Sequence, residues 1–535
     1  MNSPKIKKRY ILLFLIAALF ILINKPAKEY NFPMYHGKSI TYILIDGFEK
    51  RTFEKLLNNN QIPNISKLKK EGIFVENGIG SFPSMTGYAF YPFLTGIDAV
   101  KSGVIGLRWL DKSRESGQFR NYVGRTNIHM NKDLDEQYPT LFELKDSFYT
   151  ASVNSYMTKG VHDERKTGWA MTTSKYQDQK LVRFLKSIPY FGKNWTYSHY
   201  QHESFVAQNA TEQLLKNPAV QWITFASPDA YAHINGMDEE YENIIIHIDG
   251  LIGQLLEESK KQNQERYFAV ITDHGLEDVT KNICIEEEVK KDLGITLKRG
   301  DSTNLLFSDL DDDISKEDID GYFVINGNLL SFVYLKATDK KWSKILYEND
   351  LRNYGTNSSY DLITYFAKNI NVEMVMYKID KQTIGVADKN GFATITKKNK
   401  LYKYSSVESD PFNYATEDSL LIDTFYSKNK WLELTCETNY PDAVFRSFEL
   451  VNSPKSGDLV LLSAPKIDFA KDYEILVGNY KGGHGGLRSS MLNVSYILTG
   501  PEIKPKTIKT ARAEDIGTTV FKYLDIDQAT QGTSL

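Results

Sequence analysis

The first apolar block, Ile11 to Ile23, reads ILLFLIAALFILI and has no polar face, so it does not fit an amphipathic surface helix. Lys5, Lys7, Lys8 and Arg9 precede it. A membrane span wants about 20 residues, and Tyr10 and Asn24 extend the run toward that length. The pattern predicts a signal anchor over 10–24, with residues 1–9 cytoplasmic because a cationic flank stays inside. A cleaved signal peptide is the alternative reading, but Asn24-Lys25-Pro26-Ala27 is a weak cleavage site. The expected location is the cell membrane, single-pass, with the rest of the chain extracytoplasmic. Residues 25–38, with Pro26, Pro33 and Gly37, read as a linker.

Beyond the linker the hydrophobic period alternates between that of strands and that of helices. Ser39–Ile45 (SITYILI), Trp222–Ala226 (WITFA) and Tyr267–Thr272 (YFAVIT) are short apolar runs bounded by turn residues, as buried strands are. Lys50 to Lys70 carries a helical pattern, and Pro83 precedes another helix candidate that Pro92 interrupts or ends. Glu239–Lys260 places Ile244, Ile248, Leu251, Ile252 and Leu255 on one face. Strands alternating with helices predict an α/β sheet. The same grain returns at Glu474–Val477 and Leu492–Leu498 and closes with a helix at Ala513–Tyr523. From 282 to 470 it differs. There Lys-rich and acidic stretches separate short runs such as Tyr322–Ile325 and Leu330–Leu335. The expected organisation is a core of 39–281 and 471–535 with an inserted α+β lobe at 282–470.

Composition narrows the classes. Of 535 residues 41% are hydrophobic and 25% charged, which describes a folded chain rather than a disordered one. Basic residues number 65 against 68 acidic, so there is no basic surplus and no nucleic-acid partner is expected. Cys284 and Cys436 are the only cysteines, which excludes a Cys-rich zinc site and leaves room for one disulfide at most.

Each predicted core strand ends at an acidic turn. Asp46-Gly47 follows the first, Pro228-Asp229 the second with His233 four residues on, and Asp273-His274-Gly275 the third. Two further segments join them: Pro83-Ser84-Met85-Thr86, leading to Thr95-Gly96, and Gly482-Gly483-His484-Gly485-Gly486. Singly, each has an ordinary explanation: Asp before Gly is turn chemistry, Thr caps helices, and an Asp/His pair at i, i+4 is one turn of polar helix. The glycines around His484 point further, because they let the backbone approach a ligand closely. In an open α/β sheet, residues at the carboxyl ends of strands converge on one crevice. Three carboxylates and three imidazoles then make two N/O coordination sets. Two ions about 4 Å apart clamp the attacking and leaving oxygens of an in-line displacement. Such donors suit Zn, with Mn and Fe as alternatives. A threonine hydroxyl is a poor nucleophile at neutral pH, and metal coordination lowers its pKa.

In this order the segments resemble the alkaline phosphatase superfamily, and within it the type I phosphodiesterase/nucleotide pyrophosphatase branch. The resemblance covers about 40–280 and 471–535. It implies an alkaline-phosphatase-like central sheet flanked by helices, here with the large insertion and the N-terminal membrane helix added. In that branch the nucleophile stands in Pro-x-x-Thr, nine residues before Thr-Gly, which selects Thr86 over Ser84. One metal would take Asp229, His233 and His484; the other would take Asp46, Asp273, His274 and the Thr86 oxygen. The branch usually carries Asn three residues after the threonine, where this chain has Ala89. Its phosphoryl pocket then falls to backbone N–H groups near Thr86 and Gly87, or to Arg108, Lys159 or a nearby Asn. The implied activity is hydrolysis of phosphate mono- or diesters through a phospho-threonine, with a lipid or envelope headgroup as the substrate the anchor suggests. A sulfatase would need a Cys- or Ser-x-Pro-x-Arg segment, which does not surround Thr86. A headgroup transferase would carry several membrane helices. An inactive binding protein would lack a ligand, and all six are present.

Overall fold

The computed structural model describes residues 32, 35–113, 118–123, 129–167, 198–262, 265–300, 318–337, 339, 341–355, 360–471 and 479–535. The predicted anchor over 10–24 and the strand expected at Glu474–Val477 lie outside them. No helix among the described residues is long and apolar enough to cross a membrane. Cys284 and Cys436 are both free thiols.

The central sheet has eight strands. They are β1 (Ser39–Ile45), β2 (Ile73–Ile79), β3 (Thr150–Val153), β4 (Asp163–Arg165), β5 (Val220–Phe225), β6 (Arg266–Ile271), β7 (Asn493–Thr499) and β8 (Lys506–Arg512). Their order is β8-β2-β7-β6-β1-β5-β3-β4. β1 lies between β5 and β6, parallel to both, with Ile45 opposite Phe225 and Leu44 opposite Ile271. Every residue of β1, β5 and β6 is buried. This explains their near-continuous apolar sequence, since a parallel sheet is covered on both faces. β7 runs antiparallel between β2 and β6.

Helices fill the crossovers. The Lys50–Lys70 pattern resolves into two, α1 (Lys50–Asn58) and α2 (Pro63–Glu71). Proline at the first position of α2 costs no hydrogen bond, so the second helix starts where the first has stopped. α3 (Ser227–Asn235) and α4 (Glu239–Lys260) connect β5 to β6. Asp238 caps α4 by accepting from the Glu240 and Tyr241 N–H groups, and Glu239, Glu240 and Glu242 complement its N-terminal dipole. Ile244, Ile248, Ile252 and Leu255 form its buried stripe.

A second sheet of nine strands lies between Leu297 and Ser463. Gly321–Asn326 and Leu330–Leu335 form an antiparallel hairpin in it. One unbroken hydrophobic core joins the sheets, running from Tyr42, Phe93 and Trp222 to Tyr322, Phe332 and Tyr402. A buried ionic knot adds to it. Arg446, on α5 (Ala443–Asn452), meets Asp98, Glu514 at 3.1 Å and Asp442 at 3.3 Å. Arg512 meets the same Asp442 at 2.7 Å. Removing one member of a buried ionic group strands the others, at about 3–5 kcal/mol. Arg446→Ala is expected to lower the unfolding midpoint in denaturant accordingly. A midpoint within error of wild type would show that the knot contributes nothing.

Candidate active site

Asp46, Asp229 and Asp273 each follow one of three adjacent parallel strands, so the sheet brings them to one crevice. The Asp46 N–H donates to the Phe225 carbonyl at 3.0 Å, which ties the end of β1 to the end of β5. Asp229 and His233 sit one turn apart on α3, with Nε2 of His233 3.3 Å from Oδ2 of Asp229. Nε2 of His484 lies 3.8 Å from Oδ1 of Asp229. Nε2 of His274 lies 3.5 Å from Oδ1 of Asp46 and 3.6 Å from Oδ2 of Asp273. The Thr86 hydroxyl is 3.3 Å from Oδ1 of Asp46 and 3.1 Å from Nε2 of His274. All seven residues predicted for the site are thus brought together.

The three imidazoles share one device. Nδ1 of His233 meets the Gly482 carbonyl at 2.8 Å, Nδ1 of His274 the Gly275 carbonyl at 3.1 Å, and Nδ1 of His484 the Ser84 carbonyl at 2.8 Å. A carbonyl only accepts, so each Nδ1 is the donor, and in the neutral ring each Nε2 then keeps its lone pair. Backbone acceptors of this kind fix metal-ligating histidines.

Charge leads to the same conclusion. Burial, then the charges of Asp273 and Asp229, push the Asp46 carboxyl well above the ordinary carboxylate range. Burial also raises Asp273. Burial acts on Asp229 in the same direction, but His233, His484 and His274 together outweigh it and hold that carboxyl low. His484 is pushed down by burial and then by His274. Oδ1 of Asp229 and Oδ2 of Asp273 are buried without a hydrogen-bond partner. Orphaned carboxylate oxygens facing imidazole lone pairs fit divalent cations. Donor atoms of Asp229, His274 and His484 lie within 4.8 Å of one another, as do those of Asp46, Asp273 and His274. His274 is common to both trios, whereas the sequence reading assigned it to the second set alone.

The Pro83–Thr86 segment differs from its expected local form. Thr86 does not open a regular helix: Gly87 follows at φ +78°, then a 3-10 turn Tyr88–Phe90, then the short helix Tyr91–Thr95 with Pro92 in its first turn. The N–H groups of Tyr88 and Ala89 are spent on the carbonyls of Thr86 and Met85. Ala89 is fully buried. Lys159 is committed to Glu143 at 3.0 Å, and Arg108 is buried with its backbone held by Asn326.

Two contributors had no signal in sequence. The Ser84 hydroxyl accepts from the Gly485 N–H and donates to the Gly486 carbonyl, both at 3.0 Å, so it holds the glycine loop. Asn326-Gly327-Asn328 reads only as a hairpin turn, yet Gly327 and Asn328 lie against His484.

Comparison with known proteins accords with this geometry. The sequence profile of the type I phosphodiesterase / nucleotide pyrophosphatase family matches residues 41–341. Curated proteins give no match. The fold is similar to that of murine ectonucleotide pyrophosphatase/phosphodiesterase 5, with a TM-score of 0.51 at 12% identity over 92% of this chain and 97% of that one. The human counterpart gives a TM-score of 0.47 at 12% identity over 93% and 97%. With over half its length matched, the chain belongs to the type I phosphodiesterase/nucleotide pyrophosphatase family of the alkaline phosphatase superfamily and is a phosphoric ester hydrolase.

Proposed function

We propose that the protein is a membrane-anchored, extracytoplasmic two-metal hydrolase of phosphate mono- or diesters that works through a phospho-threonine at Thr86. The carrying observation is the convergence of three imidazoles and three carboxylates on one crevice, with the Thr86 hydroxyl set against Asp46 and His274. Asp229, His233 and His484 would hold one ion; Asp46, Asp273, His274 and Thr86 the other. When bound, the ions supply positive charge to oxygens that gain negative charge as phosphorus is attacked. Zn is the metal these donors favour.

The chain's own groups then set the course. Asp46 and His274 fix the Thr86 oxygen at the floor of the crevice. That oxygen attacks phosphorus as its proton passes to water, the Thr86 O–P bond forms, and the P–O bond to the departing alcohol breaks, the alcohol oxygen taking a proton back from water. Water cleaves the phospho-threonine in a second displacement and restores the hydroxyl. Ser84 stays out of the reaction because both its hydrogen-bonding directions are used. The N-terminal apolar segment would keep the site beside a bilayer, which suits a lipid or envelope headgroup as substrate, and the family favours diesters.

The test uses the full chain in mild detergent with nitrophenyl phosphate, bis-nitrophenyl phosphate, a phosphonate ester and a sulfate ester. Phosphodiester turnover is expected to lead, to vanish with chelator and to return with Zn or Mn as about two ions rebind. Turnover insensitive to chelator in a chain that holds no ion would sink the proposal.

A further inference from the structure

The second sheet reaches the metal site at the turn Asn326-Gly327-Asn328, between the strands Gly321–Asn326 and Leu330–Leu335. His484 is bracketed by it. The His484 N–H donates to the Gly327 carbonyl at 2.9 Å, and the His484 carbonyl accepts from the Leu329 N–H at 3.0 Å. This is a parallel bridge centred on Asn328. The turn is backed in its own lobe. The Phe469 N–H donates to the Asn328 carbonyl at 3.1 Å, and the Ser463 N–H to the Leu329 carbonyl at 3.0 Å. On its other side, Oδ1 of Asn326 accepts from the Arg108 N–H at 3.1 Å and Nδ2 donates to the Arg108 carbonyl at 2.9 Å. The neighbouring Leu107 N–H points at Sδ of Met85, the residue before Thr86.

We infer that this turn is a positioning device for His484, so that the second lobe is a working part of the metal site rather than an appendage. The inference rests on the two-metal reading and adds to it. Both backbone groups of His484 are held by the turn, and Nδ1 is held by the Ser84 carbonyl. The ring also stacks on His274, with centroids 3.7 Å apart and planes 13° apart. The remaining ring nitrogen, Nε2, is thereby aimed at Asp229. Asn326 ties the same turn to the segment behind the nucleophile, which fixes the distance between Thr86 and His484.

Gly327 is the place to test this. A Cβ there would lie 2.7 Å from Nδ1 of His484 and 2.8 Å from Cα of Gly485, and backbone cannot yield as a flexible side chain can. Gly327 has φ +62°, so Gly327→Ala also carries left-handed strain. Gly294→Ala is the matched control, since Gly294 has φ +70° and open space around its Cβ. The experiment titrates Co(II) into the chelator-treated full chain and follows ions per chain, affinity and the visible absorption band. Wild type and Gly294→Ala should each take up close to two ions with the same band. Gly327→Ala should keep one site, lose about 10–100-fold in affinity at the other, and change the band. Asn326→Ala, which removes the tie to Arg108 without a clash, should weaken the same site several-fold. It decides the matter if Gly327→Ala does not fold. A folded Gly327→Ala or Asn326→Ala with wild-type affinities and band overturns the positioning role alone. A wild-type chain that takes up no Co(II) overturns the two-metal reading, and the positioning role with it.

Discussion

Thr86→Ala is expected to abolish turnover while both ions stay bound. The substitution removes the hydroxyl that stands 3.1 Å from Nε2 of His274 and 3.3 Å from Oδ1 of Asp46, and leaves the six proposed ligand side chains untouched. Loss of a nucleophile typically costs about 10³–10⁶-fold in kcat. Thr86→Ser keeps an attacking oxygen and should retain a measurable rate. Ser84→Ala forfeits two buried hydrogen bonds to the glycine loop and should lose about 1–3 kcal/mol of local stability. It should still form the covalent adduct. Acid-quenched mass spectrometry after one turnover distinguishes these variants: the phosphoryl mass belongs on Thr86 in wild type and in Ser84→Ala, and is absent from Thr86→Ala. An adduct on Ser84, or a Thr86→Ala enzyme with a normal rate, would mean that the Pro83–Thr86 segment has been misread.

How much could be read in sequence depended on the range of the interactions involved. Ser39–Ile45 and Glu239–Lys260 were legible to the residue, because turn residues and an Asp cap end them locally. The strand read as Trp222–Ala226 begins earlier, at Val220, because Gln221 is polar yet buried. Its amide accepts from Thr41 at 3.2 Å and donates to the Ala210 carbonyl at 2.7 Å, partners that no periodicity reveals. The helical period from Lys50 to Lys70 hid a break because the proline that starts the second helix also suits its first turn. At the site, the carboxylates were legible because each follows a strand, and the histidines because each is near a carboxylate or among glycines. Ser84 and the Asn326–Asn328 turn were not, because their partners lie hundreds of residues away or on the facing strand of another sheet. The antiparallel insertion of β7 between β2 and β6 is likewise a choice of tertiary pairing, on which a local pattern is silent.

Asp273→Asn is expected to split two properties that usually fall together. Asp273 is 1% exposed, its Oδ1 accepts from the His274 N–H at 3.1 Å, and its Oδ2 has no hydrogen-bond partner. Burial holds its carboxyl above the ordinary range, so in the absence of a cation its charge destabilises the fold. Asparagine has the same shape and keeps the Oδ1 acceptor, but carries no charge and offers an amide where the ion would find an oxygen. With chelator present, Asp273→Asn should therefore unfold at the wild-type temperature or a few degrees above it. With Zn or Mn supplied, it should bind about one ion instead of two, gain less thermal stability from metal than wild type does, and hydrolyse its substrate at least about 100-fold more slowly, a barrier increase of nearly 3 kcal/mol. A carboxylate that only braced the loop would behave otherwise, since its loss would lower the unfolding temperature with or without metal and leave the ion count at two. Metal analysis with calorimetry in chelator and in Zn separates the cases, and an Asp273→Asn chain that keeps both ions and the wild-type rate would remove Asp273 from the site.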